Sequence, residues 1–349
     1  MKVDGNIGDV SAAAETAADL ESIGFDAATA AEVNQDPFLP LVLAADTTST
    51  IELSTSIAVA FARSPMTLAY TAHDLQRFSG GRFTLGLGAQ VKAHIARRFS
   101  MPWGRPAPQM REFVLAMRAA WACWSEGAPL DFEGEYYSHT LMTPTFVPNP
   151  HSFGAPKLAL AGVGTGMTRV AGEVADGFLC HGFTTTKWIR ERTIPALAEG
   201  RALAGRTLEG FDITAHVFLA TGSDEAMAAG LSTIRKQIAF YGSTPAYRPV
   251  LDLHGWGDLG VELTALSKQN RWDDMAKLID DDVVDAFSIV APASQVPARI
   301  AERFEGVATR IGLGAQSGLS RDELAEMVAA VQAIPAGISR TVAGAEGAE

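Results

Sequence analysis

The fold is decided by the stretch GGRFTLGLGAQ at residues 80–90. Two glycines end a helical pattern, an apolar run predicts a short buried strand, and glycines return where that strand should stop. The stretch KLALAGVGTG at residues 157–166 has the same form. Glycine leaves bare backbone, so two strands that both end in glycine predict a group lying against the strand ends. We interpret that group as a cofactor.

Strand and helix patterns alternate outward from these two stretches. Strands are predicted at 2–7, 25–32, 51–61, 80–90, 157–161, 177–181, 211–220 and 281–290. Helical patterns are predicted at 9–23, 37–49, 63–79, 109–126, 165–175, 185–204, 223–241 and 294–306. Strands that alternate with helices form parallel sheets through right-handed crossovers, which is the α/β class. Eight such pairs predict a closed (β/α)8 barrel, the TIM barrel.

Two stretches interrupt the alternation, so the prediction is one barrel domain over residues 1–349 with two insertions. The insertions are predicted at about 89–108 and 242–272, and the second is rich in glycine, proline and aromatic residues. We expect the second insertion to fold over the barrel as a lid. The C-terminal tail, residues 340–349, is expected to be flexible.

Composition and charge narrow the class of protein. Hydrophobic residues make up 47% of the 349 residues and charged residues 19%, which supplies enough apolar material for a large core. A net charge of −12 disfavours binding to nucleic acid and to anionic membranes. No apolar run matches a membrane span or a signal peptide, so a cytoplasmic protein is expected. Cys123 and Cys180 are expected to be free thiols, and the histidines show no metal-binding spacing.

In a barrel of this class the chemistry lies at the carboxyl ends of the strands. The glycine-rich turn at 162–167 opens a helix whose N–H groups could hold a phosphate or carboxylate; alternatively it is a tight turn. The polar residues Ser54–Ser56 either mark the entry of the third strand or face a polar ring system. His181 is expected at the mouth, where it could orient a substrate or transfer a proton, or else serve as a core histidine. Glu32 is either a hydrogen-bond acceptor to a cofactor or a helix cap.

Two blocks of the sequence resemble the luciferase-like flavin- and deazaflavin-dependent oxidoreductases. They are RSPMTLAYTAHDLQRFSGGRFTLGLGAQ, residues 63–90, and PKLALAGVGTGMTRVAGEVADGFLCHGF, residues 156–183. They are most similar to the branch that uses coenzyme F420, an 8-hydroxy-5-deazaflavin hydride carrier, and the similarity extends over about residues 1–315. The resemblance implies an oxidoreductase that moves a hydride between F420 and a small organic substrate. It also implies a homodimer.

The resemblance assigns site residues as well. Glu32 corresponds to the acidic position near the ring of the cofactor, and Ser56–Ile57 to a non-prolyl cis peptide bond that packs behind the ring. His181 is our candidate for a catalytic proton donor. The remaining cofactor-binding positions line the ring, the phosphate turn and the end of the sixth strand: Ala58, Gly88, Ala89, Gln90, Gly162, Val163, Gly164, Thr165, Met167, Gly182 and Phe183. No metal site is expected.

Two departures from the family pattern concern the substrate. The sugar-phosphate dehydrogenases of the family have a histidine after the acidic residue of the second strand, where this chain has Val33. They also have an acid just after the fourth strand, where this chain has Gln90 and Val91. Their acid–base arrangement therefore does not transfer. Two alternatives stay open: an FMN-dependent monooxygenase that uses O2 on the same scaffold, and a non-catalytic flavin-binding barrel.

Overall fold

Parallel strands form a closed barrel in the computed structural model, which describes residues 1–314 and 318–338. Within these residues eight strands follow one another around the ring in chain order, and the eighth pairs with the first. They are β1 (Lys2–Asn6), β2 (Ala27–Ala30), β3 (Glu52–Thr55), β4 (Phe83–Gly88), β5 (Lys157–Gly162), β6 (Gly177–Cys180), β7 (Asp212–Ala220) and β8 (Arg310–Leu313). The predicted α/β barrel is confirmed.

Helices surround the ring and connect its strands. Sequence signals set their ends: Ser64 accepts a hydrogen bond from Thr67 N at 3.1 Å where Pro65 begins a helix, and Gly24, with φ 102°, ends another. The described helices are Ala13–Ile23, Phe38–Thr47, Pro65–Phe78, Lys92–Arg97, Pro106–Glu126, Thr165–Val174, Thr186–Trp188, Ile194–Leu203, Asp224–Gly242, Arg248–Leu253, Gly257–Ser267, Trp272–Lys277, Asp281–Phe287, Val296–Phe304 and Arg321–Gln332.

The prediction of an eighth strand at 281–290 is wrong. Asp281–Phe287 is a helix whose N-terminus is capped by the side chain of Asp280. Only Ser288–Val290 is extended, and it pairs with the end of β7. The strand that closes the barrel is Arg310–Leu313, which is only four residues long and begins with a charged residue.

The two stretches predicted as insertions carry short helices. Lys92–Arg97 lies in the first, and Arg248–Leu253 and Gly257–Ser267 lie in the second. The second stretch packs on the end of β6 through an apolar cluster that is separate from the core between barrel and helices. This packing brings Tyr247 to the carboxyl end of the barrel. The tail at 340–349, predicted to be flexible, lies outside the described residues.

The interior of the barrel contains an ion-pair network. Arg310 on β8 donates to both carboxylate oxygens of Asp4, at 3.0 and 2.6 Å, and to Glu52 at 2.7 Å. Lys2 pairs with the other carboxylate oxygen of Glu52. Arg310, Asp4 and Glu52 line a cavity of about 430 Å³ that also reaches Ser56. The buried charges of Arg310 and Asp4 are therefore paired, as burial requires.

Candidate active site

β3 ends at a cis peptide bond between Ser56 and Ile57, as predicted. Two hydrogen bonds to the end of β2 hold this part of the chain. Ser56 N donates to Ala30 O at 2.7 Å, and Glu32 N donates to Ile57 O at 3.0 Å. Ala58–Val59 then pairs with β4. Residues 56–59, which we call the cis segment, are thus fixed between two strands at the carboxyl end of the barrel.

The glycines of β4 make room for the neighbouring strand. A Cβ at Gly86 would overlap the carbonyl oxygen of Thr55, and a Cβ at Gly88 would lie 2.8 Å from Cδ1 of Ile57. Oγ1 of Thr55 also accepts a hydrogen bond from Gly86 N at 2.8 Å and donates one to Gly86 O at 2.7 Å. The bare backbone at Gly86 and Gly88 is therefore required by the approach of β3 and the cis segment, before any cofactor is considered.

The carboxylate of Glu32 binds the chain itself. Its Oε2 accepts hydrogen bonds from Val59 N at 2.7 Å and from Nη1 of Arg63 at 2.6 Å, and the side chain is only 7% exposed. Arg63 also reaches Asp36 at 3.1 Å. The charge of Glu32 is thus paired, and its contact with Val59 holds the cis segment in place.

His216 on β7 crosses the barrel to the cis segment. Its Nδ1 lies 2.8 Å from the carbonyl oxygen of Cys180, which can only accept, so Nδ1 carries a proton. Its Nε2 lies 3.2 Å from Oγ of Ser56. Burial lowers the pKa of His216, so the ring is neutral and Nε2 accepts the hydroxyl proton of Ser56. Gly312 leaves space for the ring, since a Cβ there would lie 2.7 Å from Cδ2 of His216.

His181 follows β6 and faces two tyrosines. Its Nδ1 accepts a hydrogen bond from Phe183 N at 3.0 Å, so the ring proton lies on Nε2. That Nε2 is 3.4 Å from the hydroxyl oxygen of Tyr247, and the ring of Tyr241 meets His181 edge to face with centroids 4.9 Å apart. Burial, followed by His216, lowers the pKa of His181 to about 4. At neutral pH the side chain is therefore an uncharged hydrogen-bond donor.

The glycine-rich turn after β5 opens into the helix Thr165–Val174, which no side chain caps. Gly164 is its N-cap residue and has an ordinary φ of −73°. A Cβ at Gly164 would meet no atom within 4 Å, and one at Gly166 would meet Cβ of Ala107 at 3.8 Å. Neither backbone conformation nor packing among the described residues requires glycine at these two positions. Residues 164–166 are exposed and no side chain accepts from the first N–H groups of the helix, so an anion can reach them.

A family model for luciferase-like monooxygenases matches residues 2–310. The match includes the cis segment, the glycine-rich turn and His181. The chain belongs to the luciferase-like monooxygenase family. Its predicted enzyme class, an oxidoreductase of the luciferase-like type, is confirmed.

Two relatives of this luciferase-like protein are similar to it in sequence, and one of them has a named activity. An uncharacterized protein of Mycobacterium tuberculosis is 50% identical over 313 residues, which cover 89% of this chain and 92% of the relative. An F420-dependent glucose-6-phosphate dehydrogenase of Beutenbergia cavernae is 32% identical over 196 residues, which cover 53% of this chain and 54% of the relative. The Beutenbergia cavernae enzyme is thus named as F420-dependent.

Two solved structures share the fold. The coenzyme F420-dependent tetrahydromethanopterin reductase of Methanopyrus kandleri has a TM-score of 0.76 and 23% identity, and the match covers 94% of this chain and 96% of that one. The oxygenating constituent of 3,6-diketocamphane monooxygenase of Pseudomonas putida, in complex with FMN, has a TM-score of 0.65 and 18% identity, with 96% and 98% covered. The luciferase-like barrel is thus found with either cofactor.

The other predicted site residues of this luciferase-like protein differ in how far they are buried. Val163 and Phe183 are buried in the second apolar cluster, where the ring of Phe183 stacks on Phe287 with centroids 4.5 Å apart. Met167 lies against Gly162, because a Cβ there would be 2.9 Å from Cγ of Met167. The residues left half-buried or exposed at the mouth are Ala89, Gln90, Gly164, Thr165 and Gly182.

Two residues that hold the cis segment were not predicted from the sequence. His216 interrupts the apolar run of β7, and a polar residue in a strand expected to be buried was a usable signal. Arg63 stands just before the Pro65–Phe78 helix, where a surface arginine is common, so nothing in the pattern marked it. Both act through contacts with residues distant in the chain.

The described residues offer no candidate for a membrane span or a metal centre. In residues 1–314 and 318–338 no helix combines the length and the apolar character that crossing a bilayer requires. No group of three or more His, Cys, Asp or Glu side chains in the same ranges is placed to hold a metal ion. Cys123 and Cys180 are free thiols, and burial raises the pKa of Cys180 to about 12, which makes it unreactive.

Proposed function

We propose that this protein is a coenzyme F420-dependent oxidoreductase that transfers a hydride between the deazaflavin and an organic substrate. The observation that carries the proposal is the pair of features at the carboxyl end of the barrel, the cis segment and the uncapped glycine-rich turn. A flat ring with a phosphate-bearing side chain needs a wall for the ring and an anion site for the phosphate. F420 is preferred because a 32% identical relative depends on it.

The residues present fit such a cofactor at both places. The N–H groups of Thr165, Gly166 and Met167 would hold the phosphate, and Gly164 and Gly166 leave it room. The cis segment, Gly88 and the residues after it would line the ring. When bound, F420 supplies a hydride donor or acceptor, and the chain supplies position and electrostatics.

The side chains around the cis segment and the glycine-rich turn have separate roles. His216 keeps the wall rigid through its hydrogen bond with Ser56. The uncharged Nε2–H of His181 faces the Tyr247 hydroxyl oxygen at 3.4 Å and positions that hydroxyl group at the mouth. Tyr247 packs near Phe183, with centroids 6.0 Å apart, so the second insertion lines the mouth with apolar rings and excludes water.

An FMN-dependent monooxygenase is the second candidate, and the structural neighbour in complex with FMN supports it. Both cofactors share the ring shape and the phosphate, so the glycine-rich turn serves either. On the family resemblance we also propose a cytoplasmic homodimer of one-domain subunits. Sedimentation equilibrium of the purified protein measures the number of subunits.

Titration of the purified protein with F420, followed by fluorescence quenching, tests the proposal. Gly164→Asp places a carboxylate in the anion site and is expected to weaken binding about 100-fold or more, because like charges repel. Ala330→Asp adds the same charge at an exposed position of the Arg321–Gln332 helix and is the matched control. Equal affinities of the wild type and both variants would contradict the phosphate assignment.

A further inference from the structure

Four rings form one wall of the mouth, and we call them the aromatic mouth: His181, Phe218, Tyr241 and Tyr247. The planes of Phe218 and Tyr241 are 7° from parallel, with centroids 6.3 Å apart. His181 lies between the two tyrosines, with centroid distances of 4.9 Å to Tyr241 and 4.7 Å to Tyr247. All four side chains are half-buried, so each keeps part of its surface open to a ligand.

The aromatic mouth adjoins the proposed wall for the cofactor ring. His216 binds Ser56 of the cis segment and the carbonyl oxygen of Cys180, the residue before His181. The side chain of His216 therefore connects the cis segment to the strand end that carries His181 of the aromatic mouth. A substrate held by the four rings lies beside the ring site.

Among the described residues, no hydrogen bond, ion pair or cation–π contact joins the four rings to an Asp, Glu, Lys or Arg side chain. Burial raises the pKa of Tyr241, and burial followed by Tyr241 raises that of Tyr247. Burial is the main cause that lowers the pKa of His181. A charged substrate would lose its hydration here without gaining an ionic partner.

We propose, on the basis of the proposed function, that the substrate is an uncharged carbonyl compound or the matching alcohol, and that Tyr247 is the catalytic proton donor to its oxygen. The nearly parallel rings of Phe218 and Tyr241 present faces for a flat apolar body. The wall offers the hydroxyl groups of Tyr241 and Tyr247 to an oxygen, and of these two the Tyr247 hydroxyl is the one held by a hydrogen-bond partner among the described residues, Nε2 of His181 at 3.4 Å.

The balance of protons in the reaction assigns separate roles to Tyr247 and His181. Reduction of a carbonyl adds a hydride to carbon and a proton to oxygen, and F420 supplies the hydride under the proposed function. As the carbonyl electron pair moves to oxygen, that oxygen takes the Tyr247 hydroxyl proton. His181 is a positioning residue, because its Nε2–H faces the Tyr247 oxygen at 3.4 Å and stabilises the tyrosinate. After the product leaves, water reaches the half-buried Tyr247 and returns a proton to the tyrosinate, and alcohol oxidation runs the same steps in reverse.

A matched set of ketones tests the substrate class with the F420-loaded protein. Acetophenone is uncharged, whereas 4-acetylbenzoate and 4-acetyl-N,N,N-trimethylanilinium add one charge of either sign to the same ring. We expect kcat/KM for acetophenone to exceed both by about 100-fold or more, because the site has no partner for a charge. The assay follows oxidation of the reduced cofactor by absorbance.

Three outcomes of this assay would overturn the inference. A charged analogue used as well as acetophenone would show that the site accepts charge. Tight F420 binding without turnover of acetophenone or 1-phenylethanol would remove the substrate class and leave the proposed function standing. Failure to bind F420 would overturn the proposed function and this inference with it.

Side-chain variants test the proton donor. Tyr247→Phe keeps the ring and is expected to lower kcat about 10²–10³-fold with little change in KM. The wild type should lose rate above pH 10 as Tyr247 ionises, and this variant should not. His181→Gln keeps an N–H donor and should retain most of the rate, whereas His181→Phe should not. Tyr136→Phe removes a hydroxyl that binds Arg105 at the surface and is the control. Wild-type kcat in Tyr247→Phe would overturn the assignment.

Discussion

Nε2 of His216 lies 3.2 Å from the hydroxyl oxygen of Ser56, and this contact joins β7 to the end of β3 across the barrel. The other ring nitrogen donates to Cys180 O at 2.8 Å, at the end of β6. A single neutral imidazole thus fixes both the cis segment and the strand that presents His181. The proposed ring wall and the aromatic mouth share this support.

Replacing His216 with phenylalanine is expected to weaken the fold and the ring wall together. Ser56 and Cys180 lose their partner inside the barrel, and an unsatisfied buried polar group costs about 1–3 kcal/mol. We therefore expect the free energy of unfolding in urea to fall by about 2 kcal/mol, and the affinity for F420 to fall as well. His94→Phe, at an exposed position, is the control. Equal losses in the two variants would contradict the role of His216.

Two glycine-to-alanine substitutions are expected to act in opposite ways. Gly86→Ala places a methyl group on the carbonyl oxygen of Thr55, in paired strands that cannot move apart, and should destabilise the protein by about 3 kcal/mol. Gly164→Ala meets no neighbouring atom, so the melting temperature should fall only slightly, because an N-cap position prefers glycine to alanine, while F420 binding weakens. Thermal melting and cofactor titration of both variants measure this contrast. A Gly86→Ala variant as stable as the wild type would disprove the close approach of β3 to β4.

Arg310→Leu is expected to be strongly destabilising at neutral pH. It leaves Asp4 as an unpaired carboxylate inside the barrel, which costs about 3–5 kcal/mol, while Glu52 keeps its ion pair with Lys2. Burial raises the pKa of Asp4 above 3.8, although the positive charge of Arg310 acts to lower it. Loss of Arg310 therefore raises the pKa of Asp4 further. A carboxyl with a raised folded pKa favours the folded state at low pH and loses that advantage as pH rises.

The deficit of Arg310→Leu should therefore shrink as the solution is acidified towards the pKa of Asp4. Urea denaturation at a series of pH values measures this trend. Arg206→Leu, at an exposed position, removes the same charge and should show little deficit at any pH. A deficit of Arg310→Leu that grows on acidification would rule out the buried pair as its cause.

His181 is expected to stay neutral at pH 6.5 and to titrate only near pH 4. Burial, followed by His216, lowers its pKa from 6.5 to about 4. The unfolded chain takes up this proton first, so the stability present above pH 6.5 is lost as pH falls through about 4. NMR of the imidazole nitrogens, with His181→Gln to assign the signals, follows the titration directly. A midpoint near 6.5 would mean that the side chain is open to water.

Most of the barrel was predictable because its signals are local. The glycine pair and apolar run at 80–90 predicted the strand Phe83–Gly88, which the structure confirms. The closing strand Arg310–Leu313 was missed because its first residue is charged, and the partner of that charge is Asp4 at the other end of the chain. A short-range pattern contains no information about such a pairing.

The candidate site was less predictable because its side chains meet across the barrel. His216 gains its role from Ser56, which is 160 positions away in the sequence. The cis peptide bond was expected from the family resemblance and not from the residues alone. The glycines of β4 were predicted to admit a cofactor, but Gly86 and Gly88 already admit Thr55 and Ile57. A sequence pattern does not distinguish a close neighbouring strand from a ligand.

The central claim is tested most directly by titrating the purified protein with F420 and FMN side by side and following fluorescence quenching. The account predicts micromolar or tighter binding of F420 and much weaker binding of FMN, with both affinities reduced in Gly164→Asp. Tighter binding of FMN would contradict the F420 assignment and favour the monooxygenase. Binding of neither would contradict the account of the cis segment and the glycine-rich turn as a cofactor site.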